Sequence, residues 1–227
     1  MKRRILLPLI SALAFLLAAP GFAQQFEAVH AINFEGNDQA KRAMETLMKD
    51  DAMKGARVTL YAQEFGQRAA SHLIVEDVDS YADYMESTQK RMSSHGWSRY
   101  RLESMGSEYL GSDQIMVVDD HGAQRHEAQY LVAYLIHSTD AALYRSAIAD
   151  LNEGVGNPGV LRLVAMRTGN MAYTHAVLIG GPDFATVNKY LDKLFASDAF
   201  AAFADKVGDT RKVVGVNTYN RVATWGD

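Results

Sequence analysis

The chain has 227 residues, a formal net charge of −4 and no cysteine. An acidic balance argues against a nucleic-acid partner, which selects a basic surface, and against adsorption on anionic lipid. Disulfides are excluded, so packing alone must hold the fold, and the length suffices for a sizeable core or for two halves of roughly 100 residues each.

The first 23 residues have the pattern of a cleaved signal peptide. Residues 2–4 are basic, residues 5–19 form an apolar run, and Gly21 and Ala23 occupy the small-residue positions of a cleavage site. The run is shorter than the about 20 residues of a membrane-spanning helix. Removing residues 1–23 leaves 20 basic and 27 acidic residues, a net charge of −7. We therefore expect a soluble mature protein, periplasmic or secreted.

The pattern from residue 24 to residue 118 predicts one ferredoxin-like repeat. Strands are predicted at residues 26–34, 57–63, 69–75 and 114–118, where apolar and polar residues alternate or apolar residues run together. One helix is predicted between Gly36 and Gly55, and another begins at Asp79 with apolar residues at helical spacing. The order β-α-β-β-α-β places two helices on one face of a four-stranded sheet.

The second half predicts the same order after a polar linker. Residues 119–127 are polar and show no periodicity, so we assign them to the linker. Within residues 128–227, strands are predicted at 129–136, 160–166, 171–179 and 213–221. Helices are predicted from Asp140 and from Asp183, with a short helix at 197–203.

A constant spacing relates the two halves. His72 and His175 are 103 residues apart, and the same spacing joins Tyr81 to Phe184, Ser94 to Ser197, Trp97 to Phe200 and Tyr100 to Phe203. A spacing held from a strand to the end of the following helix indicates a tandem duplication. Each sheet needs cover on the face that its helices leave open. We therefore expect the two sheets to cover each other, in a monomer able to fold alone.

One short motif resembles a known family. The sequence Ser-Asp-Ala-Phe-Ala-Ala-Phe at residues 197–203 lies after an amphipathic helix and before the last strand. It resembles the closing helix of the antibiotic biosynthesis monooxygenase group of dimeric α/β-barrel proteins, and residues 94–100 are a weaker copy. The resemblance implies an α+β fold in which two ferredoxin-like repeats form an intramolecular dimeric α/β-barrel, preceded here by the signal peptide.

The resemblance also bears on cofactors. Haem-degrading members of this group carry a histidine one turn after the Ser-x-x-Phe motif, and the matching positions here are Arg101 and Ala204. Haem is therefore possible but not favoured, and the cofactor remains unknown. Other members are cofactor-free oxygenases that use Asn, Trp, Tyr and Arg near the cavity; Trp97 and Tyr100 are such residue types.

Histidines are the first candidates for a site. His72 and His175 occupy equivalent strand positions and could face each other between the sheets as a pair that binds a ligand, a metal or haem. Alternatively, each is a core histidine with a hydrogen-bonding partner on the helix-packed side. Two histidines are too few for a closed zinc site, so no metal site is predicted. We interpret His30 as a buried, partnered histidine whose counterpart in the second half is Val132.

Tyrosines and one arginine are the other candidates. Tyr61, Arg162, Tyr134 and Tyr219 lie on predicted strands, and inward-facing they would give a mostly apolar cavity a few polar groups. Their alternative role is structural, since aromatic residues suit strands. No catalytic residue can be assigned.

These observations favour an exported protein that binds a small, partly apolar molecule between its two sheets. The alternative is a monooxygenase-like or haem-dependent enzyme that uses the same cavity, and a third possibility is that the sheets close with no cavity. The expected partner is a small molecule, with no nucleic acid and no membrane after signal cleavage.

Cleavage of the signal peptide makes Gln24 the first residue of the mature chain. Mass spectrometry of protein recovered from the periplasm or the medium should give a mass that lacks residues 1–23, because small residues precede the cleaved bond. Ala23→Phe should leave the uncleaved precursor, and Phe22→Leu, between the small positions, should be processed normally. Intact chain beginning at Met1 in the soluble fraction would contradict the assignment.

Overall fold

Two matched sets of strands and helices follow each other along the chain. The computed structural model describes residues 25–66, 70–169 and 172–226, and the signal-peptide prediction lies outside them. The first set is β1 (Phe26–Asn33), α1 (Asn37–Met48), β2 (Arg57–Phe65), β3 (His72–Val78), α2 (Tyr81–Met92), α3 (His95–Glu103) and β4 (Glu108–Gly122). The second is β5 (Tyr130–Ser138), α4 (Ala141–Val155), β6 (Val160–Thr168), β7 (His175–Gly181), α5 (Phe184–Phe195), α6 (Asp198–Val207) and β8 (Arg211–Trp225).

The eight strands close an antiparallel barrel in the order β1-β3-β2-β8-β5-β7-β6-β4. The predicted α+β barrel of two ferredoxin-like repeats is thereby confirmed. Closure depends on β4 and β8, which are 15 residues long each. The strand β4 pairs with β1 of its own repeat and with β6 of the other, and β8 likewise pairs with β5 and β2.

The strand register defines which residues of the two repeats are equivalent. Ile32 pairs with His72 in the first repeat, and Ile136 pairs with His175 in the second. The first strands are therefore offset by 104 residues, one more than the 103 that separates the two histidines. It follows that His30 is equivalent to Tyr134, and the sequence-based pairing of His30 with Val132 was wrong by two residues.

The segment predicted as a linker belongs to the barrel. Residues 119–122 continue β4, and residues 125–127 form a 3-10 turn. Arg125 in that turn is buried and donates from Nε to Glu27 at 2.8 Å and from Nη2 to Asp77 at 2.6 Å. Two polar residues of this segment, Asp120 and Arg125, form ion pairs inside the barrel, so its polar composition does not mark a solvated linker.

An ion cluster made of Glu27, Arg125, Arg162 and Asp120 fills one end of the space between the sheets. Arg162 of β6 donates from Nη1 to Glu27 of β1 at 2.6 Å and from Nη2 to Asp120 of β4 at 2.6 Å. Burial raises the pKa of Glu27, but the charges of Arg125 and Arg162 outweigh burial and hold that pKa below its ordinary value. The cluster joins the two repeats through charge.

Within the part of the chain that the structure describes, buried apolar side chains form three clusters. One fills the space between the sheets and includes Val29, Leu73, Leu131 and Val164. The others lie outside the barrel, between each half of the sheet and its helices. None of the described helices has the length and apolar content that crossing a membrane requires.

Arg162→Met tests the contribution of the ion cluster. The substitution leaves Glu27 with one partner fewer in a buried site, which costs about 3–5 kcal/mol of unfolding free energy. The matched control is Lys90→Met, since Lys90 pairs with Glu86 at 2.6 Å with both side chains about two-thirds exposed. An exposed pair contributes about 1 kcal/mol or less. Urea unfolding should separate the two variants, and equal losses would contradict a structural role for the cluster.

Candidate ligand-binding cleft

The space between the two sheets is small. Its volume is about 70 Å³, whereas pockets for drug-sized ligands measure about 300–1,000 Å³. Tyr61 and Tyr219 line this space and lie edge to face with ring centroids 6.4 Å apart. The Tyr61 hydroxyl accepts from Arg125 at 3.0 Å, and Arg162 belongs to the ion cluster. These three predicted site residues are brought together, but around a space with room only for a few waters.

The other predicted residues lie on the outer side of the barrel. The Nε2 of His72 bonds to Asn37 on α1 at 2.9 Å, and the ring of His175 lies 6.2 Å from that of Tyr144 on α4. Each Nδ1 bonds to the hydroxyl of the preceding residue at 2.8 Å. Burial lowers the pKa of both imidazoles. They are core histidines on the helix-packed side. Tyr134 lies on the same side, with its ring edge to face with that of Phe195.

A larger cavity of about 400 Å³ lies in the first repeat, between the outer face of the sheet and helices α1, α2 and α3. We call it the first-repeat cleft. Its lining combines apolar walls with one polar end, and consists of His30, Ile32, Met44, Leu47, Met53, Val58, Ile74, Glu76, Tyr84, Thr88, Arg91, Met92, Trp97, Tyr100, Arg101, Ser104, Ser107, Tyr109 and Ser112.

The apolar walls suit a flat ligand, and they can adapt to its shape. The rings of Trp97 and Tyr100 on α3 are stacked, with centroids 5.1 Å apart and planes inclined by 19°. Burial raises the pKa of Tyr100 to about 12, so the phenol stays neutral. Met44, Met53 and Met92 line the cleft, and methionine side chains repack easily around different molecules.

His30 provides the polar end of the cleft. It is half-buried on β1, its Nδ1 lies 2.6 Å from Ser112 Oγ, and the same oxygen bonds to the Tyr109 hydroxyl. Its ring stacks on that of Tyr84 at 6.4 Å. Burial, and then the charge of Arg91, lower the pKa of His30 to about 4. The imidazole is therefore neutral at physiological pH.

A buried ion pair lies beside His30. Arg91 donates from Nη1 to Glu76 at 2.7 Å and from Nη2 to Thr88 at 3.0 Å, and the side chains of the ion pair are nearly inaccessible. Arg91 is the only buried residue of α2. A buried ion pair commonly gives no more stability than two apolar residues of the same volume. The pair is therefore weak evidence for a stabilising role at this position.

The second repeat has apolar residues at these positions. By the strand register and the 103-residue helix offset, Ile179 replaces Glu76, Leu194 replaces Arg91 and Leu191 replaces Thr88. Tyr134 and Val216 replace His30 and Ser112. Four residues of α5 are buried there: Val187, Tyr190, Leu191 and Leu194. The helix–sheet layer of the first repeat combines an apolar cluster with a cavity of about 400 Å³, whereas α5 buries four residues at the equivalent place in the second.

Sequence reasoning singled out Trp97 and Tyr100 of this cleft but missed the residues of its polar end. His30 was interpreted as a core histidine, and Glu76, Arg91 and Ser112 were not singled out. The available signal was the difference between the repeats, since charged and polar residues in α2 and β3 stand where α5 and β7 have Leu and Ile.

The cleft lacks the histidine of haem-degrading proteins, because Arg101 occupies that position. The one imidazole in its lining is that of His30. Across the described residues, no group of three or more His, Cys, Asp or Glu side chains could hold a metal ion.

Solved structures share this fold. An anthrone oxidase-like protein is 14% identical over 90% of this chain and 93% of its own, with a TM-score of 0.57. A candidate monooxygenase from Fusobacterium nucleatum is 11% identical over 91% and 96%, also with 0.57. A candidate chlorite dismutase is 11% identical over 88% and 95%, with 0.52. The chain thus has the dimeric α/β-barrel fold within one polypeptide, which confirms at the level of fold the resemblance to the monooxygenase group.

Sequence comparison adds little to the fold. No family model matches the chain. The SecA protein translocase subunit of Malacoplasma penetrans is 27% identical over 166 residues, which are 72% of this chain and 10% of that protein. The chain therefore spans about one tenth of the length of this curated relative, and no family assignment follows from it.

Replacing first-repeat residues by their second-repeat equivalents tests how the ion pair of the cleft affects the free energy of unfolding. Glu76→Ile combined with Arg91→Leu reproduces the second-repeat pair and should be neutral or stabilising by about 1–4 kcal/mol. Arg91→Leu alone leaves the carboxylate of Glu76 buried without its cation and should lose about 3–5 kcal/mol. Urea unfolding measures both variants. A double variant as unstable as the single one would show that the ion pair is structural.

Proposed function

We propose that this protein binds one flat, mainly apolar organic molecule, carrying a hydrogen-bonding oxygen, in the first-repeat cleft. The observation that carries the proposal is the asymmetry between the repeats: an apolar layer in one and a cavity of about 400 Å³ with polar groups in the other. A cavity of this volume lined by aromatic and aliphatic side chains, with few polar groups, is the usual form of a small-molecule site.

The lining sets the orientation of the ligand. A flat ring would lie between the methionines and the Trp97–Tyr100 stack, where it replaces water on both faces. Its oxygen would lie at the polar end, within reach of the neutral His30 imidazole and of the Arg91 cation. Both groups are held by other side chains, His30 by Ser112 and Arg91 by Glu76, so little side-chain ordering is required on binding.

A second candidate function is oxygenation of the bound molecule, as in a monooxygenase-like enzyme. It is favoured by a neutral imidazole and linked hydroxyls at the end of an apolar cleft, and by the descriptions of two structural neighbours as an anthrone oxidase-like protein and a candidate monooxygenase. The test reaction is anthrone plus O₂ giving anthraquinone plus water. Oxygen uptake with anthrone that His30→Ala abolishes would support an enzyme, and uptake equal to the buffer rate would leave binding as the function.

We further propose that the protein acts outside the cytoplasm as a monomer. The predicted signal peptide supports export, and the two repeats supply both halves of the barrel in one chain. A monomer in light scattering of the mature protein is the expected result, and a dimer that dilution does not separate would contradict it.

The probe 2-naphthol, a flat aromatic alcohol, tests the binding site. Calorimetry should give one naphthol per chain, and binding should quench fluorescence less in Trp97→Phe because that indole lines the cleft. The triple variant His30→Tyr, Thr88→Leu and Ser112→Val introduces the second-repeat residues and should weaken binding by at least about tenfold, or 1.4 kcal/mol.

The control variant tests the space between the sheets. Ala133 lines that space, and Ala133→Val should leave naphthol affinity unchanged. Loss of affinity in Ala133→Val together with full affinity in the triple variant would place the ligand between the sheets and overturn the proposal.

A further inference from the structure

We propose that His30, Ser112 and Tyr109 form a proton path that carries the hydroxyl proton of the bound molecule from the first-repeat cleft to solvent. The inference rests on the proposed function, because it requires an acidic O–H group at the polar end of the cleft. It goes further by assigning the ligand a chemical class, aromatic or enolic alcohols that can lose a proton, and by assigning three residues a transfer role.

The three side chains form one hydrogen-bonded chain. His30 Nδ1 lies 2.6 Å from Ser112 Oγ, which bonds in turn to the Tyr109 hydroxyl. All three side chains line the cleft, and Tyr109, which is 60% exposed, is in contact with solvent. His30 and Ser112 are direct partners in the β1–β4 ladder, and Tyr109 pairs with Ile32 in the same ladder. The sheet therefore holds the chain rigidly between the cleft and water.

Each of the three side chains gives up one proton and accepts another. The ligand hydroxyl gives its proton to His30 Nε2, and the proton on Nδ1 passes to Ser112 Oγ. The Ser112 hydroxyl proton passes to Tyr109, whose own proton leaves to water. The ligand is left as an oxyanion and no electron is transferred. The imidazole changes from the Nδ1–H to the Nε2–H tautomer, and proton movement in the opposite direction restores it.

The surrounding charges favour such a path over storage of a proton on His30. The charged and titratable groups that line the cleft around it are Glu76, Tyr84, Arg91, Tyr100 and Arg101. Burial and the Arg91 charge disfavour an imidazolium, but a path that passes protons from donor to acceptor never accumulates one. The same Arg91 charge stabilises the oxyanion that remains in the cleft.

The second repeat lacks the whole path. Its equivalents of His30, Ser112 and Tyr109 are Tyr134, Val216 and Val213. Two of the three cannot donate or accept a proton. The path therefore occurs in the repeat that has the cavity and is absent from the repeat that is packed.

The experiment uses 2-naphthol, a photoacid whose neutral and anionic forms emit at different wavelengths. Naphthol bound to the full-length mature protein should show naphtholate emission, because excitation releases its proton into the path. Tyr109→Phe and Ser112→Ala break the path but keep the His30 imidazole, and at naphthol concentrations that saturate each variant they should slow the rise of naphtholate emission by about 100-fold.

The matched control is Tyr81→Phe, which removes a 48%-exposed tyrosine hydroxyl outside the cleft lining, and its emission should equal that of the unmodified protein. Bound naphthol with the same rise of naphtholate emission in Tyr109→Phe and Ser112→Ala would overturn the path and leave the binding site intact. Failure of the unmodified protein to bind naphthol would overturn the proposed function as well.

Discussion

Reciprocal pairing of β4 and β8 is the constraint on which the rest of the structure depends. Each strand bonds to its own repeat along one edge and to the other repeat along the opposite edge. Closing the sheet in this way leaves no unpaired edge and places the two inner faces against each other. Aliphatic side chains and the ion cluster then fill most of the interior, where a space of about 70 Å³ remains.

The helix–sheet layers of the two repeats differ in the residues that their helices bury. In the second repeat, α5 buries four apolar residues against the sheet, and the layer is a hydrophobic core. In the first repeat, the only buried residue of α2 is Arg91. The attraction between Arg91 and Glu76 is largely offset by the free energy of removing both charges from water. The first repeat nevertheless has a buried apolar cluster between its sheet and helix α1, and beside it a cavity of about 400 Å³ that Glu76 and Arg91 line.

The architecture could be predicted because duplication leaves a pattern that survives divergence. The 103-residue spacing from His72 to His175 continues through Trp97 and Phe200 to the end of the closing helices. Such a spacing stays constant only if the strands and helices between these residues follow in the same order in both repeats. The barrel follows, since each ferredoxin-like sheet has one face without helices.

The site could not be predicted from the same pattern, because identity between repeats marks structural residues. His72 and His175 are alike in both repeats and both are core residues. Their strands are buried on both faces, so alternation could not decide which face they occupy. The residues that differ, Glu76 and Arg91, mark the cleft. His30 was mispaired because the first repeat has one residue more than the second between its first and third strands.

Crystallography with 6-bromo-2-naphthol tests the central claim most directly, because anomalous scattering locates the bromine without interpretation of weak ligand density. The account predicts a single bromine site per chain, in the first-repeat cleft, with the naphthol oxygen toward His30. A bromine between the two sheets, or in the helix–sheet layer of the second repeat, would contradict it.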